Sequence, residues 1–213
     1  MIQYSIHERE GHLMGFFSNF SNSGKKKGEQ IADAIIRLSG ENNFTSLLAE
    51  TPKPMSLRIL IDHIIVCSAA AAYALAVFSK GKPNDWKQVY GSMIDRIVFH
   101  LEKMSDSGVN MNVRDVIVND EEKSIFLGQG WHLNETTSIY TIFSVIGDLR
   151  MDKYSRAIAE GLAHATQDSD GSRMTALLMQ ETKKNCGADG FPYIELKLIY
   201  TNRIGKIVQI CSN

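Results

Sequence analysis

Prolines and cysteines are scarce in this chain, and neither sign of charge dominates it. With 44% hydrophobic residues, 22% charged residues and only four prolines in 213 positions, the composition is that of a globular protein that can bury a core. Wholesale disorder is excluded on that ground. Twenty-three basic against twenty-four acidic side chains leave no basic excess. Phosphate neutralisation supplies most of the affinity of a nucleic-acid binder, so no nucleic-acid partner is expected. Three cysteines, Cys67, Cys186 and Cys211, lie far apart without a CxxC pair, which suggests neither a zinc knuckle nor a disulfide framework. Free thiols fit a reducing compartment. The first residues, MIQYSIHEREGHLMG, carry acidic side chains and no long apolar core, unlike a secretory signal. The expected location is cytoplasmic. Also missing are a GxSxG elbow, a GxxxxGK[ST] phosphate loop, a GxGxxG turn and an HExxH pair.

One long uncharged run is present: IIVCSAAAAYALAVF, residues 64–78. A membrane-spanning helix needs roughly 20 apolar residues, and at about 1.5 Å per residue this run reaches only some 22 Å. Its flanks bring in Arg58, Asp62 and His63 on one side and Lys80 and Lys82 on the other. Much of it is alanine, which partitions into lipid far less well than leucine. No membrane span is expected. Pro54 suits a first helical turn, and Gly81 with Pro83 makes a stop. The helix between them, polar at its start and apolar all round later, belongs at the centre of a helical core.

Residues 1–28 form a flexible or partly ordered N-terminal segment: Ile2, Tyr4 and Ile6 alternate as a short edge strand would, and SNSGKKKG (21–28) resembles an exposed linker. Residues 29–213 make a single helical domain. Ile31, Ala34, Ile35 and Leu38 share one face of a short helix that ends at Gly40. Asn84 is a suitable N-cap for the most regular segment, where Trp86, Val89, Tyr90, Met93, Ile97 and Leu101 follow a three-four rhythm. Val116–Val118 and Ile125–Leu127 flank NDEEKS as a small hairpin or loop would, and GQGWH (128–132) reads as a tight turn. Helical rhythm resumes at Thr136 or Thr137, pauses near Gly147–Asp152, and continues through Tyr154, Ile158 and Leu162. A further helix runs from Met174 to Asn185–Gly187. In YIELKLIY (193–200) apolar and polar residues alternate, TNRIGK follows as a turn and IVQIC is rich in β-branched residues. This predicts a C-terminal β-hairpin, with a helix after Pro192 as the alternative. The expected fold is mainly α: a helical bundle around the alanine-rich central helix, with that small β-hairpin at its end.

The chemistry-bearing residues are few. Glu160, His164 and Asp168 stand at successive intervals of four, which on a helix stacks them along one face. A glutamate and a histidine so placed can share a divalent metal, with Asp168 completing the site or orienting the imidazole. Such a site needs further ligands, for which His100 and His63 are the candidates. The bland reading is an ordinary ion pair on a helix surface. Counting at 100° per residue puts His100 inside the apolar stripe of its helix, as a satisfied core histidine. Asp62–His63, at the start of a buried helix, has to be solvated, partnered or functional. DSDG (168–171) fails as a calcium loop because Leu177 falls where glutamate is required. Cys67 reads as an inert buried thiol. Cys186, beside Lys183 and Lys184, reads as the more exposed one.

With recognisable catalytic apparatus missing, the expected function is non-enzymatic: a cytoplasmic protein that binds another protein as a regulator, adaptor or inhibitor. The exposed edge of a terminal hairpin would add to this by extending a partner's sheet. Two alternatives stand beside it. One is a metal-dependent hydrolase built on Glu160, His164 and Asp168 with His100 or His63. The other is a helical pocket for a small apolar ligand. No cofactor is expected beyond the divalent metal of the first alternative.

Overall fold

A computed structural model describes residues 22–53, 55–78, 83–106, 120–128, 130, 139–164 and 172–212. The described residues are mainly helical and contain eight helices and no strand. In order these are α1 (Asn22–Ser39), α2 (Asn42–Glu50), α3 (Met55–Phe78), α4 (Pro83–Asp106), α5 (Asp120–Gly128), α6 (Ile139–His164), α7 (Ser172–Cys186) and α8 (Tyr193–Ser212).

Helix α3 holds the alanine-rich run, and its burial follows from that composition. Ile59, Ile64, Ile65 and Val66 are fully buried, as are Ala69, Ala70 and Ala71. Each large side chain so buried contributes about 1.5–3 kcal/mol, while the alanines let neighbouring helices approach closely. Six helices, α1, α2, α4, α6, α7 and α8, pack against it. By length and composition alone α3 could cross a membrane; here 78% of its most apolar window is covered by the chain itself.

The C-terminal β-hairpin is not formed. Residues 193–212 are helix α8, whose buried side chains are Leu196, Ile199, Tyr200, Arg203, Ile204, Ile207 and Cys211. That set keeps the three-four spacing of a helix over its whole length, whereas strict alternation holds only from Ile194 to Leu198 and breaks at the buried Ile199. The Leu196 amide donates to the Pro192 carbonyl at 3.1 Å, so the helix takes its first bond from the proline that opens it.

Other departures have equally local causes. The polar stretch 22–28 is not a linker but the first turns of α1, whose Gly28 is buried against α4. NDEEKS contributes to helix α5 rather than to a hairpin; Val116–Val118 lie outside the described residues, as do Trp131, His132 and the alternating stretch near Tyr4. Helix α6 runs unbroken through Gly147–Asp152. Pro83 is the first residue of α4, which places Asn84 inside the first turn rather than at the cap. Gly187 closes α7 with φ 99° and donates its amide to the Lys183 carbonyl at 3.0 Å.

Helices α1 and α4 meet along Gly28. A Cβ at that position would run into the Val89 carbonyl oxygen and come within 2.8 Å of Ser92 Cβ and 2.9 Å of the Met93 amide. Gly205 on α8 is the opposite case, with nothing within 4 Å of such an atom. Gly28→Ala is therefore expected to cost about 1–3 kcal/mol through forced separation of two helices. Gly205→Ala is expected to add about 0.5–1 kcal/mol through backbone entropy alone. Urea midpoints of the two variants measure both; equal shifts of the same sign would contradict the close approach at Gly28.

Candidate functional site

Asp62 and His63 leave α3 in different directions, and each meets a separate set of polar partners. On one side, Asp62 Oδ1 accepts from Arg150 Nη1 at 3.1 Å and from Asn185 Nδ2 at 3.2 Å. Its Oδ2 accepts a short bond from the Tyr154 hydroxyl. Tyr154 also accepts from Asn185 at 2.9 Å and lies 3.3 Å from the Thr182 hydroxyl. Arg150 turns its other edge to Glu122, donating from Nε at 2.8 Å and from Nη2 at 3.1 Å to the two carboxylate oxygens. This is the bidentate fork that a guanidinium forms best.

Four helices supply these groups: Asp62 from α3, Glu122 from α5, Arg150 and Tyr154 from α6, Thr182 and Asn185 from α7. All six are buried. One guanidinium faces two carboxylates, and burial of the Asp62 carboxyl pushes its pKa up despite the Arg150 charge and the bonds from Tyr154, Thr182 and Asn185. Burial also pushes the Tyr154 phenol well up, which keeps it a donor to Asp62.

On the other side, His63 Nδ1 lies 3.1 Å from the Ser39 hydroxyl of α1, and its Nε2 lies 3.6 Å from Cys67 Sγ one turn along α3. Its ring packs 4.4 Å from that of Phe44 on α2 and 5.7 Å from that of Tyr200 on α8. A cysteine beside a histidine is the material of a nucleophilic pair. Here burial pushes the thiol up to about 12, and burial with the Arg203 charge pulls the imidazole down to about 3. Both partners are therefore neutral near pH 7. The thiolate–imidazolium form that attacks a substrate is disfavoured.

The residues singled out as metal ligands lie apart. His100 on α4 bonds Asp33 of α1 at 2.8 Å, and Arg96 donates to the same carboxylate at 2.9 Å. It is half-buried in a surface cluster, not enclosed in the core. Glu160 on α6 pairs with Arg173 of α7 at 2.8 Å. His63 sits in the α3 cluster just described. The side chain of His164 and all of Asp168 lie outside the described residues. Among the described residues no three His, Cys, Asp or Glu side chains converge to hold a metal. Cys186, expected to be the more exposed thiol, is fully buried, and its pKa is pushed well up by that burial. The partners of Asp62 escaped the sequence reading, although Arg150 occupies a stripe position of α6 between the buried Ile146 and Tyr154. An arginine on an apolar stripe was the available signal.

Chemically, the two clusters tie helices together. The groups around Asp62 are buried among these helices. Comparisons with protein-family models, curated proteins and solved structures returned no match.

Proposed function

We propose that the protein is a non-enzymatic cytoplasmic binder of another protein, and that its contact surface is the outward face of α8. The observation that carries this reading is one stripe of that helix. Ile194 and Leu198, 70% and 69% exposed, align at helical spacing with Thr201 and Gly205. Two large apolar side chains followed by a bare glycine form a surface against which a second helix can lie closely. The Thr201 hydroxyl between them is engaged by Thr175 of α7 at 3.1 Å and by the Lys197 carbonyl at 2.9 Å. Gly205 weakens α8, and no described residue lies within 4 Å of the place a Cβ would take there. The helix face takes the place of the strand edge expected from sequence, so the partner binds by helix-to-helix packing and not by sheet extension.

The same reading takes the eight helices as one bundle around α3, which provides a rigid base for α8 and needs no membrane. Free thiols at Cys67, Cys186 and Cys211 support a reducing compartment. No nucleic-acid contact is required by a chain of net charge −1.

The test is capture from an extract of the native cell, with wild type compared with Ile194→Glu/Leu198→Glu. Both positions are solvated, so the variant is expected to match the wild-type urea midpoint to within about 0.5 kcal/mol. Captured partners are expected to fall at least tenfold. Identical capture profiles for two equally folded proteins would refute the α8 surface. Stoichiometric metal in protein purified without a histidine tag, lost in His164→Ala, would favour the hydrolase reading instead.

A further inference from the structure

Helix α5 is tied to α6 and α7 by ion pairs. Among its described side chains little apolar surface turns inward: Leu127 is 65% exposed, Ile125 is only half-buried, and Glu121, Lys123 and Ser124 are exposed. A helix this short is not stable alone. Two neighbouring carboxylates in its first turn secure it. Glu122 takes the fork of Arg150, and Glu121 Oε2 lies 2.9 Å from Lys153 Nζ and 3.6 Å from Lys184 Nζ. The three cations belong to α6 and α7. Behind them, Asp62 fixes Arg150 through Nη1 and leaves Nε and Nη2 directed at α5.

This is the layout of a receptor and its ligand. A guanidinium with two N–H groups aligned receives one carboxylate, and a pair of lysines beside it receives the next. We propose that the α6–α7 seat of Arg150, Lys153 and Lys184 is an exchangeable binding site for an acidic helical segment of a partner protein, with α5 as its internal occupant. The partner segment carries two consecutive carboxylates in its first turn, where they also suit the helix dipole. Being tethered, α5 competes at an effective concentration in the millimolar range, so the site opens only to a segment that binds better. The inference stands independently of the α8 surface.

The experiment is hydrogen exchange by mass spectrometry on the full wild-type chain. The probe is an excess of a heavy-isotope, end-capped peptide with the sequence DEEKSIFLG. Residues 120–128 are expected to show protection weaker than that of α6 and α7 and to lose it several-fold further as the peptide is added. A peptide carrying Gln for both glutamates at positions 121 and 122 is expected to leave exchange unchanged. Lys153→Glu/Lys184→Glu, at side chains 30% and 50% exposed, is expected to speed exchange of α5 and abolish the peptide response. The proposal fails if α5 opens only with the whole molecule, has no protection at all, or ignores the acidic peptide. It fails equally if both peptides act alike or if the lysine variant still responds. Loss of capture by α8 variants has no bearing on any of these readings.

Discussion

Arg150→Ala is expected to destabilise the fold by about 3–5 kcal/mol, the cost of stranding buried charge when one partner of an ion pair is removed. Asp62 and Glu122 would both lose their cation, and neither is open to water. Tyr154 and Asn185 would still donate to Asp62, whereas Glu122 would lose both bonds of the guanidinium fork. Helix α5 would therefore be released first. The loss should be greatest near neutral pH and shrink toward pH 4, where uncompensated carboxyls take up protons. Charge, not missing bulk, is the cause, so Arg150→Met combined with Asp62→Asn and Glu122→Gln should recover most of the stability. Replacement of a whole buried ionic group by neutral groups is often nearly free. Urea unfolding of the single and triple variants at pH 7 decides this. A loss below about 1 kcal/mol in Arg150→Ala, or a triple variant no better than the single one, would show that the cluster is not what joins α5 to α6.

How much of this was legible depended on whether the cause was local. The stripe of α4, with Val89, Met93, Ile97 and Leu101 all buried, states its period in the sequence and was read correctly. Helix α3 was legible as a helix, and most of its apolar run is buried, with Val77 and Phe78 exposed at its end. Helix α8 was misread since Ile194, Leu196, Leu198 and Tyr200 satisfy a period of two as well as their place in a helix. The longer helical pattern through Cys211 decides between them. Asp62 and His63 were recognisable as a pair that needed partners. Which partners was not recognisable, because Arg150, Tyr154 and Asn185 lie 88, 92 and 123 positions away and meet only after α6 and α7 have packed. The supposed pause at Gly147–Asp152 also concealed Arg150, whose place on the α6 stripe becomes visible only when that helix is drawn unbroken.

His63 makes the second large prediction, a loss of stability on acidification. Its imidazole titrates near 6.5 in the unfolded chain and at about 3 in the folded one, first because burial disfavours the cation and then because Arg203 is near. Between those values the unfolded state binds the extra proton, so stability rises with pH across the window. The contribution is complete above pH 6.5 and is lost as the pH falls toward 3. At 1.36 kcal/mol per pKa unit the full window amounts to about 5 kcal/mol. Asp62 acts in the other direction: with its folded pKa raised above 3.8, it adds stability as the pH falls through its own window. The two overlap, so the wild-type profile is a difference and only a variant separates them. His63→Gln keeps a hydrogen-bonding group near Ser39 and Cys67 but cannot take up a proton at these pH values. The variant should be less stable than wild type at pH 7.5, owing to poorer packing against Phe44 and Tyr200. Toward pH 4.5 the gap should narrow by at least about 1 kcal/mol, as the wild type alone pays for a neutral imidazole. Parallel profiles for the two proteins would mean that His63 takes up its proton as readily in the fold as in the unfolded chain, and an imidazole held neutral between Ser39 and Cys67 at acid pH would have to be abandoned.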